Sequence, residues 1–206
     1  MKKRLFKIVL VVAIPLLFSG CYHYQAEYAD ELDIVYTNYD KTFTFPGHHT
    51  YAMPDSIVLV TSTTPGGGKT FVKPIYADQI LARIKSNMTA LGYTKTNDPT
   101  QAEFILMPSG VEATNVVYYY DWWSYYYGWY YPPYYGGWYY PYSTAYTYQS
   151  GSLIMNLNAV KETAADGTSP VIWIGIINGL LEGGNFTNRM NKSIDQAFTQ
   201  SPYLHQ

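Results

Sequence analysis

The chain of 206 residues contains a single cysteine, Cys21. That count excludes an internal disulfide framework and any zinc site built on several cysteines. Charge is also scarce, at 14% of residues, where ordinary soluble proteins carry roughly 25%. The 13 Lys+Arg and 15 Asp+Glu give a net charge of −2, so the basic footprint of a duplex nucleic-acid binder is missing. No Gly-x-Ser-x-Gly nucleophile elbow occurs. What is abundant is aromatic: 24 Tyr, 8 Phe and 5 Trp, within an apolar content of 48%. That fills the core of one domain and argues against wholesale disorder.

Residues Met1 to Gly20 read as a targeting segment. Lys2, Lys3, Arg4 and Lys7 precede an apolar run from Ile8 to Phe18. Eleven residues are too few to span a bilayer, which takes about 20, but they suit the h-region of a secretory signal. Leu16-Leu17-Phe18-Ser19-Gly20-Cys21 resembles a bacterial lipobox, with Phe18 in place of the usual aliphatic residue. The resemblance implies cleavage before Cys21 and lipid attachment to it. Two or more acyl chains, at about 0.8 kcal/mol per buried CH₂, make such an anchor stable. The mature chain then keeps 9 basic and 15 acidic residues. Tyr22 rather than Asp follows the cysteine, which by resemblance to the sorting rule of enteric bacteria favours the outer membrane, facing the periplasm or the cell surface.

Residues 21–30 form a tether, and 31–206 a single domain. Alternation predicts strands over 31–36, 42–45 and 50–53, and a β-branched run predicts another over 57–61. Ile80, Ile84, Met88 and Leu91 recur with the helical period and predict an amphipathic helix from about Tyr76 to Leu91, with Pro74 before it and Gly92 as its stop. A strand over 102–107 is expected to end at Pro108, and 111–117 to extend or pair with it. Leu153, Met155 and Leu157 alternate with Ser152, Asn156 and Asn158. The apolar run Val171–Ile177 suits a central strand. Met190, Ile194 and Phe198 mark a second helix starting near Phe186. The predicted fold is α+β: a mostly antiparallel sheet with two amphipathic helices packed on it. Its core is expected to hold Ile80, Ile84, Met88, Leu91, Leu153, Leu157, Trp173, Ile176, Ile194 and Phe198.

Residues 118–148 interrupt this pattern. The stretch holds 15 Tyr and 4 Trp, is broken by Gly and Pro, and has Asp121 as its only charge. Neither structural period persists through it. Three readings are open: a long insertion between strands, an aromatic platform that stacks on sugar rings or other flat ligands, and a self-associating tract. Tyr119, Trp122, Trp123, Tyr126, Trp129, Tyr131, Tyr135, Trp138 and Tyr140 are the candidate contact residues. Single-strand nucleic-acid binding needs a positive groove beside the aromatics, and this stretch has no Lys or Arg. The flanking strands already carry the signals that close a sheet, so the insertion is expected to be dispensable for folding and needed for function.

Other candidate chemistry is weak. Gly66-Gly67-Gly68-Lys69-Thr70 imitates a phosphate loop, but Thr63 stands where the first Gly belongs, and Phe71-Val72-Lys73-Pro74 follows where a helix must start. A glycine loop between strands fits better. His48 and His49 are adjacent, so on a strand they face opposite ways, a poor arrangement for one metal. No metal or cofactor is expected, and no catalytic residue is assigned.

Two blocks carry a family resemblance. Tyr39-Asp40, Phe43-Thr44-Phe45 and Thr50-Tyr51-Ala52-Met53-Pro54 form the first; Tyr148 to Leu157, with Trp173-Ile174-Gly175, forms the second. Together they resemble the bacterial envelope lipoproteins grouped as domain of unknown function 4136, with Ile174 where many members carry Arg. The resemblance spans about 31–203 outside the aromatic stretch. It implies a fold and a compartment, and no activity. The expected protein is a lipid-anchored envelope protein with a non-catalytic binding or structural role. Its partners are the membrane through Cys21, and a glycan, another envelope protein or a second copy. The alternative is an envelope enzyme acting on glycan or peptide.

Overall fold

The computed structural model describes residues 34–45, 49–61, 70–112, 138–139, 151–162, 168–181 and 185–205. The chain divides into Met1–Glu31, outside the described residues, and Leu32–Gln206, to which everything below refers. In chain order the elements are β1 (Val35–Tyr39), β2 (Thr50–Ala52), β3 (Val58–Val60), α1 (Pro74–Ala90), β4 (Thr94–Lys95), β5 (Phe104–Val111), β6 (Trp138–Tyr139), β7 (Ser152–Ala159), β8 (Ser169–Ile177) and α2 (Phe186–Thr199).

The sheet runs β1-β8-β7-β5-β2-β4, with β3 also on β5 and β6 on β8. Its centre is antiparallel: Val111 faces Ser152 and Phe104 faces Ala159 in one ladder, and Leu153 faces Ile177 in the next. The fold class is α+β, but the sheet is mixed. β2 and β3 both run parallel to β5, and β2 runs parallel to β4. The reason is α1, which lies between β3 and β5 in sequence and provides the crossover that parallel neighbours require.

Helix α1 forms where the period predicts, with Ala77, Ile80, Leu81, Ile84 and Met88 buried. Pro74 is its first residue rather than the one before it, a position whose N–H has no helical partner in any case. Gly92 takes φ 89° just past the end, the left-handed stop that glycine adopts without a Cβ penalty. Leu91 caps the helix and is only half-buried, packed at the margin of the core. In α2, Met190, Ile194, Ala197 and Phe198 are buried. Both helices share one apolar cluster with Phe104, Leu106, Leu153, Met155, Leu157, Trp173 and Ile177, on one face of the sheet. Ile176 is buried as well, but it belongs to the other face. Each fully buried Leu, Ile or Phe contributes about 1.5–3 kcal/mol.

Two expected strands differ. Residues 42–45 form no strand, because Asp40 accepts from Thr42 N and Thr42 Oγ1 at 2.8 and 2.7 Å and turns the chain. Phe43 and Phe45 still meet edge-on at 4.9 Å beside the core. β5 continues through Pro108 to Val111. Pro108 lies where the neighbour on one edge changes, between Ala52 opposite Ile105 and Val58 opposite Ser109, a break in pairing that tolerates proline.

Candidate contact site at one end of the sheet

The C-terminal end of β5 and the N-terminal end of β7 meet at one end of the sheet. Gly151 N donates to Val111 O at 2.7 Å, so both ends of the intervening segment are clipped together. Glu112 N donates to Val60 O and Leu181 N to Gly151 O, each at 2.8 Å, which ties β3 and the turn after β8 to the same point. The predicted extended stretch after the glycine loop lies alongside: Leu59 N donates to Thr70 O and Val72 N to Ile57 O. Both helices start here, and α2 is preceded by Asn185 at φ 54°, a left-handed position that asparagine tolerates.

These elements enclose a cleft of about 520 Å³ lined by Leu59, Thr70, Phe71, Val72, Lys73, Tyr76, Val111, Glu112, Gly151, Leu181 and Phe186. Gly110 lies beneath it. A Cβ there would come within 2.8 Å of Leu181 Cδ1 and 3.0 Å of both Leu59 and Val72, so a larger residue would push on the cleft walls. The rim is apolar and open. Phe71 is 37% exposed and Tyr76 40%, and the Tyr76 and Phe186 rings approach at 4.6 Å. With Lys73 and Glu112 as the charged lining residues, the cleft suits a flat, amphiphilic ligand better than an ion.

A second constellation joins residues that the sequence shows as unrelated. His49 Nδ1 lies 2.7 Å from Glu103 Oε2, and Thr50 N donates to the same oxygen at 3.2 Å. Burial alone would raise the Glu103 carboxyl, but these hydrogen bonds and the neighbouring His49 and Lys161 charges hold it below the usual carboxylate range. His49 Nε2 is buried with no hydrogen-bond partner, against the face of an aromatic cluster of Tyr51, Tyr93 and Phe104. The pair pins the entry to β2 against the entry to β5. Lys161 Nζ lies 3.5 Å from the other Glu103 oxygen, which makes the pair part of a small ion-pair network, and among the described residues no three His, Cys, Asp or Glu side chains gather to hold a metal. Glu103 lies 54 positions from His49, and only the parallel β2–β5 pairing, absent from the sequence pattern, could have signalled their meeting.

Of the predicted contact residues, Trp138 lies in β6, whose backbone pairs with Ser169 and Pro170. Tyr119, Trp122, Trp123, Tyr126, Trp129, Tyr131, Tyr135 and Tyr140 lie outside the described residues, as do Cys21 and His48. The apolar rim of Phe71 and Tyr76 was not singled out by sequence, where Tyr76 looks like the first turn of an ordinary helix.

The comparisons with known proteins agree with this architecture. The profile of a domain-of-unknown-function family, DUF4136, matches residues 35–203. The chain belongs to that family. A crystal structure of a DUF4136 family protein from Bacteroides thetaiotaomicron is similar, with 33% identity and a TM-score of 0.68, covering 84% of this chain and 97% of the other. No curated protein matches. Within this DUF4136 chain the closing Trp173-Ile174-Gly175 motif is a packing device. The Trp173 indole is buried, donates to Ser201 Oγ at 2.9 Å, and lies over Gly175, where a Cβ would meet its Cη2 at 2.7 Å. Among the described residues no helix is long and apolar enough to cross a membrane.

Proposed function

We propose that this protein is a lipid-anchored component of the bacterial cell envelope that binds rather than catalyses, held at the membrane through Cys21 and taking a glycan as its ligand. The observation that carries the reading is the position of the open apolar cleft. Phe71, Tyr76 and Phe186 surround it, at the point where the Tyr- and Trp-rich segment leaves β5 and re-enters β7. Aromatic side chains offer an apolar face and a polar edge at low entropic cost, the combination that stacks on sugar rings. The cleft and the aromatic segment would then act as one contact end, while Cys21 supplies the tether.

The test is retention. The soluble mature chain carrying Cys21→Ser is incubated with insoluble cell-wall glycan, purified polysaccharide and lipid vesicles, and the bound fraction is measured. Saturable retention on a glycan fraction is expected, with no soluble product released. Release of glycan or peptide fragments would mark an enzyme instead, and the absence of retention on any glycan would remove the proposed ligand.

A further inference from the structure

Strand β1 ends the sheet on one side, and among the described residues no strand pairs with its outer edge. An open edge is a template for another chain. The segment Ile34-Val35-Tyr36-Thr37-Asn38-Tyr39 has no charge, proline or glycine, and apart from Asn38 it is all β-branched or aromatic. That is the composition of segments that pair with copies of themselves. Ile34 at its start is 55% exposed. The usual defences of an edge are lysine, proline or a bulge. The segment has neither residue, and its register against β8 is unbroken.

The ladder fixes which backbone groups face outward. Asp40 N donates to Ile172 O, and Asn178 N donates to Ile34 O. Antiparallel pairing alternates along a strand. The even-numbered residues of β1 therefore bond β8, and Val35, Thr37 and Tyr39 turn their N–H and C=O groups outward. Side chains occupy both ends of that row. Tyr39 N donates to Asn38 Oδ1 at 2.9 Å. Gln200, just after α2, donates from Nε2 to Val35 O at 3.4 Å and to Thr37 Oγ1 at 3.1 Å. The Tyr203 ring stacks on Tyr39 with centroids 3.6 Å apart. The segment carrying Gln200 and Tyr203 is itself anchored in the core. Trp173 Nε1 donates to Ser201 Oγ, the Tyr93 hydroxyl donates to Leu204 O, and Leu204 is buried.

We infer that the β1 edge is a pairing surface for a second copy of this chain, held closed by Asn38, Gln200 and Tyr203. In the closed form an incoming strand finds Val35 O and Tyr39 N already taken, and the Gln200 side chain reaches along the row it would have to join. With the guard removed, two β1 strands related by a two-fold axis lie antiparallel and offer each other the same groups, as a closed dimer requires. The inference is independent of the glycan reading.

The test removes the two backbone caps, Asn38→Ala with Gln200→Ala, at a half-buried and an exposed position. The mature chain carrying Cys21→Ser serves as parent, and molar mass is followed by light scattering over a concentration series. The parent is expected to stay monomeric and the double variant to double its mass. Adding Thr37→Pro locates the contact. The Thr37 N–H faces outward, so proline there removes a donor that only a second strand uses and leaves the β8 ladder intact. The triple variant is expected to return to the monomer. Hydrogen exchange gives a second readout, with the Val35 and Thr37 amides exchanging several-fold more slowly in the dimer than in the parent. A parent that already dimerises, a double variant that stays monomeric, an association that survives Thr37→Pro, or unchanged exchange at both amides would overturn the inference.

Discussion

Tyr51 and Tyr93 share one aromatic cluster, with ring centroids 6.4 Å apart, and differ in a single hydrogen bond. Tyr93 donates its hydroxyl to Leu204 O at 3.1 Å, whereas the buried Tyr51 hydroxyl has no partner. A buried hydroxyl left unpaired costs about 1–3 kcal/mol, and a satisfied one contributes about 0.5–1.5 kcal/mol. Tyr93→Phe is therefore expected to lower unfolding free energy by about 1 kcal/mol, and Tyr51→Phe to leave it unchanged or raise it, as read from denaturant midpoints. Burial pushes both phenols up, from 10.0 to about 12. Below pH 10 both are protonated in either state. Above it the unfolded chain ionises first, so stability falls as pH rises through the window from 10 to 12. A melting temperature that stays flat across that window would contradict the assignment. At the other end of the core, Gly175→Ala places a methyl against the Trp173 ring, and overpacking of this kind costs about 1–3 kcal/mol.

At the scale of elements, α1 and α2 are joined at their outer faces by a forked pair. Arg83 grips Asp195 through Nε at 2.6 Å and through Nη2, and Asn87 Nδ2 adds a bond at 2.8 Å. Burial would raise the Asp195 carboxyl, but the Arg83 and Asn87 hydrogen bonds outweigh it and hold it below its usual range. Its contribution is therefore present above the unfolded carboxylate range and is lost as pH falls through the folded value. Both partners are more than a third exposed, so solvent screens the pair, and Asp195→Ala is expected to cost only about 0.5–1 kcal/mol near neutral pH. Chemical denaturation at neutral and acid pH checks both statements. The two helices were legible in the sequence because Ile80, Ile84 and Met88, and likewise Met190, Ile194 and Phe198, repeat at four residues on a buried stripe. Of the central strands, β7 was legible from alternation and β8 from its continuous apolar run. Parallel pairing was not, since the partner of a three-residue strand is chosen by the α1 crossover and leaves no mark in its own residues. Asp40 likewise overrode the alternation of Phe43 and Phe45 by capturing Thr42.

At the scale of the whole molecule, the candidate cleft was invisible to sequence because it is assembled from β3, α1, the turn after β8 and the start of α2, which adjoin only in the folded chain. The anchor belongs to this scale too. Cys21→Ser is expected to abolish acylation and move the protein from the membrane fraction to the soluble one; a variant still membrane-bound after a salt wash would show another anchor. The most direct test of the binding role compares three mature chains on insoluble cell-wall glycan by cosedimentation: the parent, the double variant Phe71→Ser with Tyr76→Ser, and Asp195→Ala as a control remote from the cleft. Loss of the two exposed rings is expected to weaken retention by about tenfold or more, equivalent to ~1.4 kcal/mol, while Asp195→Ala binds like the parent. Equal retention of all three chains would contradict the account.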